Sequence, residues 1–115
     1  MTDVFDKQEL LDELDGDREF LAESIEMLDS DGPALLKQLR DAVQRGDAEA
    51  VRNLAHTLKS MVGNFCAPPA FEAALAVETL GSKGDLAGCS QRLELLDREV
   101  GRLQTALREF LTESG

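Results

Sequence analysis

Apolar residues recur at steps of three and four along most of this 115-residue chain, as they do on one face of an α-helix. Clusters of Gly, Pro and Asp interrupt that spacing and mark turns. Because runs of β-branched residues are rare and Leu, Ala, Glu and Arg are abundant, we expect helices only. The predicted helices cover residues 6–14, 18–45, 48 to about 64 or 65, 70–80 and 86 to about 111.

Residues that favour helix ends bound these segments. An Asp before a helix accepts hydrogen bonds from first-turn N–H groups, and a Gly after a helix adopts the left-handed conformation that closes it. Pro68 and Pro69 end one segment and suit the first turn of the next. We expect N-caps at Asp6, Asp17, Asp47 and Asp85, and helix stops at Gly46 and Gly81.

The second segment contains Asp31-Gly32-Pro33 at its middle. Proline removes a backbone donor and clashes with the preceding turn of a helix unless it lies in the first turn. The pattern therefore predicts either one long helix kinked at Pro33 or two nearly collinear helices, the second restarting there.

The last segment carries apolar residues at alternating steps of three and four. Such a heptad-type seam lines either a coiled coil of two chains or the inside of an antiparallel bundle. Because the other amphipathic segments also need a partner, we expect a monomeric bundle, a single domain over residues 1–115. The seam consists of Leu86, Cys89, Leu93, Leu96, Val100, Leu103, Leu107 and Phe110.

Charge and composition narrow the function classes. With 23 acidic and 12 basic residues the formal charge is −11, which repels nucleic acids and anionic membranes, so we expect neither as a partner. The N-terminal residues are acidic and lack a long apolar run, which predicts no signal peptide and a cytoplasmic location. Cys66 and Cys89 are too few for a disulfide framework and lack metal-ligand spacing, so we expect reduced packing residues and no metal site.

The chain has one histidine, and the helical pattern places it outside the core. The predicted core stripe of the third helix is Val51, Leu54, Ala55, Leu58, Val62 and Phe65. At about 100° per residue, His56 lies roughly 150° from the centre of that stripe. An exposed histidine can lack any function, so the evidence for a functional role must come from the residues beside it.

Those neighbours place a cation and small residues beside the imidazole. Lys59 and Ser60 follow His56 by three and four residues and so lie one turn along on the same face, which Arg52 also shares. Gly63 extends the strip, and a helical glycine is unfavourable by roughly 0.5–1 kcal/mol relative to Ala. It provides clearance for another protein's backbone or simply marks the end of the helix.

The sequence does not support a catalytic triad or a nucleotide-binding site. A Ser/His/Asp triad needs a buried acid and an oxyanion hole, and nothing in the pattern provides either. No glycine-rich phosphate loop is present, so we expect no ATP site and no enzyme.

The segment AHTLKSMVGNF at 55–65 resembles the pattern of histidine-containing phosphotransfer (HPt) domains, Ala-His-x-Leu-Lys-Gly followed by Gly-Ala. The resemblance extends over nearly the whole chain, through Gly46-Asp47, the helix that carries Glu78, and Gly84-Asp85. It departs from the pattern where Ser60 and Cys66 replace the usual glycines.

This resemblance implies an all-α fold, an antiparallel four-helix bundle with a short extra N-terminal helix. It also implies that His56 accepts the phosphoryl group, that Lys59 balances the phosphoryl charge, and that Glu78 holds the imidazole through its other nitrogen, unless it is an ordinary surface glutamate. Arg52, Ser60 and Gly63 are the expected partner-binding residues. No cofactor is expected in this chain, since the receiver brings Mg²⁺.

The expected function is that of a phosphorelay intermediate, which takes a phosphoryl group from a receiver aspartate and passes it to another receiver. Neutral imidazole, whose unperturbed pKa is near 6.5, is a competent nucleophile for this step. The alternatives are a structural or adaptor bundle, and a degenerate HPt domain that docks receivers without accepting phosphate.

Overall fold

The computed structural model describes residues 4–14 and 17–113. They form five helices and no strand within these ranges: α1 (Lys7–Leu14), α2 (Arg18–Arg45), α3 (Ala48–Gly63), α4 (Pro68–Lys83) and α5 (Cys89–Glu113). The helices α2, α3, α4 and α5 pack in a ring in which α5 returns to α2, and α3 and α4 share the largest contact. The short α1 packs against α2, so the predicted four-helix bundle with an extra N-terminal helix is confirmed.

Three of the four predicted N-caps are present. Asp6, Asp17 and Asp47 each accept a hydrogen bond of 3.0 Å through Oδ1 from the backbone N–H three residues later. Gly46 closes α2 in the left-handed conformation, with φ 74°. These ends were predictable because each depends on residues only a few positions apart.

The predicted stop at Gly81 and cap at Asp85 are wrong. The helix α4 continues through Gly81 and closes at Gly84, whose φ is 72°. The backbone N–H of Asp85 donates to Leu80 O in that closure, at 2.9 Å. Because residue 85 completes the end of α4, a turn at residues 87 and 88 follows and α5 begins at Cys89 instead of Leu86.

The helix α2 runs through Pro33 as one element, so no second helix restarts there. Pro33 is exposed, whereas Gly32 before it is buried. An added Cβ on Gly32 would lie 3.4 Å from Leu28 Cδ1 and 3.7 Å from Val100 Cγ1. Packing of α2 against α5 on this side holds the helix together across the proline.

One apolar cluster joins the helices, and most predicted core residues belong to it. Two of them, Leu54 and Leu86, are only half-buried and pack at its edge. The seam of α5 from Cys89 to Phe110 is buried within the chain. No helix in the described ranges is long and apolar enough to cross a membrane.

Candidate functional site

His56 lies on the outer face of α3, with 61% of its side chain exposed. The stripe on the opposite side, including Val51, Ala55 and Leu58, is buried completely. The helix therefore presents the imidazole to solvent while its apolar face anchors it to the bundle, as the helical wheel predicts. Arg52 and Ser60, one turn to either side of His56, are exposed as well.

A carboxylate from the neighbouring helix holds the imidazole. Glu78 of α4 brings Oε2 to 2.6 Å from Nδ1 of His56, and its other oxygen, Oε1, accepts a hydrogen bond of 2.7 Å from Nζ of Lys59. Both side chains around this carboxylate come from α3, one turn apart. The residues His56, Lys59 and Glu78 thus form one connected group, which we call the bridged triad.

The charge state of Glu78 fixes the tautomer of the histidine. The hydrogen bond from Lys59, partly opposed by burial, lowers the pKa of the Glu78 carboxyl, and the hydrogen bond with His56 adds to the effect. Glu78 is therefore an ionised carboxylate near neutral pH and can only accept hydrogen bonds. The neutral imidazole must carry its proton on Nδ1, which leaves the lone pair of Nε2 free.

Lys59 is held more firmly than a surface lysine. Its side chain is only 18% exposed, and Nζ lies 5.8 Å from the centroid of the Phe71 ring as well as on Glu78. A cation over an aromatic face is attracted to the ring. Phe71 was not predicted from sequence, although it lies seven residues before Glu78 and therefore on the same side of α4.

Gly63 does not provide open clearance for a partner, contrary to one prediction from the sequence. It is half-buried, and an added Cβ would lie 3.4 Å from Cδ2 and 3.5 Å from Cε2 of Phe71. An added methyl group there would be in ordinary van der Waals contact with the Phe71 ring, which lies beside Lys59. Gly63 therefore faces Phe71 and marks the end of α3.

A close approach of α3 and α4 sets the register that joins Glu78 to His56. An added Cβ on Gly81 would lie 2.8 Å from the backbone N of Arg52 and 3.2 Å from the backbone O of Ala48. Gly81 lies one turn beyond Glu78, and Arg52 one turn before His56. The glycine brings the two backbones together where the bridged triad forms.

At one departure from the family pattern the backbone keeps the conformation that glycine favours. Cys66 has φ 53°, in the left-handed region that favours glycine, which is the residue usual at this position in the resembling family. Burial, together with Glu13 and Glu9, raises the pKa of the Cys66 thiol to about 11. The ligand atoms of Glu9, Glu13 and Cys66 lie within 4.8 Å of one another, and the protonated thiol donates to Glu13 Oε2 at 3.6 Å.

Comparison with known proteins relates the chain to one family. The family model described as Hpt domain matches residues 19–106. The crystal structure of histidine-containing phosphotransfer protein B (HptB) from Pseudomonas aeruginosa PAO1 is similar, with a TM-score of 0.87 and 21% sequence identity over 98% of each chain. At that sequence identity, the structural similarity supports a shared fold. No curated protein matches the sequence significantly.

Proposed function

Because this chain belongs to the Hpt domain family, we propose that it accepts a phosphoryl group on His56 from the aspartate of one receiver domain and passes it to another. The observation that carries the proposal is an exposed imidazole whose Nδ1 is hydrogen-bonded to Glu78. That arrangement directs a free Nε2 lone pair outward, where the phosphoryl group of a docked protein can meet it in line.

In this proposal the chain is a phosphocarrier without an ATP site. The receiver supplies Mg²⁺ and the phosphate pocket, since phosphoryl transfer depends mainly on positioning and charge stabilisation. This chain supplies the nucleophile and the ammonium of Lys59. An ammonium has three N–H donors, and Glu78 accepts from one of them in the part of the chain that the structure describes, which leaves donors that could serve phosphoryl oxygens.

Receivers are proposed to dock on the exposed side of α3. Arg52 and Ser60 flank His56 there, so they are the residues that a receiver would contact first. The burial of the α5 seam inside the chain supports a monomer, because that surface is already used to close the bundle. The negative charge supports a partner other than nucleic acid.

The proposal is tested by incubating the chain with a phosphorylated receiver. We expect acid-labile, base-stable phosphate on the parent protein and none on a His56→Gln variant of equal helicity. Phosphate on that variant would refute the assignment to His56. If the parent protein binds receivers but takes up no phosphate, the chain is a degenerate HPt domain, and if it does neither it is a structural or adaptor bundle.

A further inference from the structure

Phe71 of α4 packs against the turn of α3 that carries Lys59. An added Cβ on Gly63 would lie 3.4 Å from Cδ2 and 3.5 Å from Cε2 of the ring, so this edge of Phe71 faces Gly63. Nζ of Lys59 lies 5.8 Å from the ring centroid. Because Lys59 and Gly63 are four residues apart, they are neighbours on one face of α3, and the ring lies over both.

The ammonium of Lys59 is held by two groups of α4. Oε1 of Glu78 accepts a hydrogen bond of 2.7 Å from Nζ, and the Phe71 ring provides the second contact. These two residues are seven positions apart, which is about 10 Å along the helix axis. A lysine that meets a carboxylate alone can swing about that contact, because its ammonium ends a flexible four-carbon stem. A second fixed group removes much of that freedom.

The ring also shields the ion pair from water. The side chains of Lys59 and Glu78 are only 18% and 16% exposed, although both carry a charge. Phe71 is 36% exposed and so lies between the ammonium and the solvent on its side of α4. Charges attract more strongly where less water surrounds them, so the aromatic cover keeps Lys59 in one place.

We propose, building on the proposed function, that Phe71 is a positioning residue for phosphoryl transfer, because its ring fixes the Lys59 ammonium beside His56. In the transfer step the Nε2 electron pair of His56 forms the N–P bond. The receiver's O–P bond breaks and leaves its electron pair on the aspartate. Lys59 forms no covalent bond and faces the phosphoryl oxygens, over which the transition-state charge is spread. A fixed ammonium stabilises that charge without first being ordered.

Phe71→Leu is the informative substitution because it keeps a large apolar side chain and removes the aromatic face. Phe71→Tyr keeps that face and serves as the conservative rescue. Phe20→Leu is the matched control, since Phe20 is an exposed phenylalanine on α2 instead of α4. Because both phenylalanines are at least partly exposed, we expect all three variants to fold with Tm values close to that of the parent.

The first measurement is the NMR shift of the Lys59 ε-methylene protons, assigned by their loss in Lys59→Met. Protons held over an aromatic ring are shifted upfield by the ring current. We expect upfield shifts in the parent, in Phe71→Tyr and in Phe20→Leu, and ordinary lysine shifts in Phe71→Leu. This readout needs no receiver. Shifts in the parent that equal those in Phe71→Leu would overturn the inference.

The second measurement is transfer to His56 from a receiver domain phosphorylated with acetyl phosphate, over a range of receiver concentrations. We expect Phe71→Leu to lower the rate constant at saturation about threefold to tenfold and to leave the half-saturating concentration unchanged. Phe71→Tyr and Phe20→Leu should transfer at the parent rate. A raised half-saturating concentration with an unchanged rate at saturation would make Phe71 a receiver contact and overturn the inference.

A double variant asks whether Phe71 acts through Lys59. In the Lys59→Met background, Phe71→Leu should change the rate at saturation by less than about twofold, because the ammonium is already gone. An undiminished further loss would contradict the inference and leave His56 as the carrier. A parent protein that takes up no acid-labile phosphate from the receiver would refute the proposed function itself, and the inference with it, whatever the Lys59 shifts show.

Discussion

Replacing Gly81 by alanine tests the contact that brings α3 and α4 together. The new Cβ would lie 2.8 Å from Arg52 N, 3.1 Å from Arg52 Cα and 3.2 Å from Ala48 O. These are backbone atoms, so no side chain can rotate out of the way and the helices must separate. We therefore expect Gly81→Ala to lower stability, although alanine is the better helix former.

The magnitude follows from a matched control in the same protein. Gly101 lies inside α5 with nothing within 4 Å of an added Cβ, so Gly101→Ala should raise the free energy of unfolding by about 0.5–1 kcal/mol. Gly81→Ala has the same propensity gain, opposed by an overpacking penalty of about 1–3 kcal/mol. The difference between the two variants isolates the contact, and at about 4 °C per kcal/mol it should separate their Tm values clearly.

Denaturant unfolding measures both variants against the parent, with equal m-values as the check that the unfolded states match. Phosphoryl uptake gives a second readout. Separation of the helices moves Glu78 away from His56, so uptake should fall in Gly81→Ala and remain unchanged in Gly101→Ala. If Gly81→Ala stabilises the protein as much as Gly101→Ala does, the close approach is not what the glycine provides.

Three further outcomes follow from the site. Ser60→Trp should weaken receiver binding in calorimetric titrations and leave Tm unchanged; unaltered affinity would place docking elsewhere. The hydrogen bond from Lys59 lowers the pKa of Glu78 in the folded protein below its ordinary value of 4.5, so the ion pair contributes its stability above that pH and loses it as the pH falls through the folded-state pKa; Glu78→Gln should therefore lose less stability on acidification over that range. With a pKa of about 11, the Cys66 thiol should react with iodoacetamide at about pH 8 much more slowly in the folded protein than in the unfolded chain; equal rates would contradict this.

Much of the fold could be predicted because its causes are local. The caps at Asp17 and Asp47 depend on a side chain and an N–H group three residues apart, and helical spacing alone placed His56 opposite a buried stripe. Gly81 was misassigned because a glycine near a predicted helix end normally indicates a stop. Its actual role depends on a contact with the backbone of Arg52 in another helix, and no short stretch of sequence around Gly81 reveals that contact.

The residues of the site likewise fall into those placed by one helix and those placed by the packing of two helices. Lys59 lies on the same face of α3 as His56 because it follows His56 by three residues. Its position could therefore be predicted from that helix alone. No periodicity says which residue of α4 meets His56, since that depends on the register of α3 against α4, and only the family resemblance indicated Glu78. The family resemblance does not indicate Phe71. Its place beside Lys59 depends on the packing of α3 against α4 and is evident only from the structure.

The two glycines at the α3–α4 contact face different groups, and this decides which substitutions can test where receivers dock. An added Cβ on Gly81 would collide with the backbone of α3, whereas one on Gly63 would only contact the ring of Phe71, which lies beside the ammonium of Lys59. A bulky residue at position 63 would displace that ring and disturb Lys59 before any receiver approached. Loss of transfer in such a variant would report on chemistry and docking together. Ser60 is exposed, so substitution there separates receiver binding from the chemistry of the bridged triad.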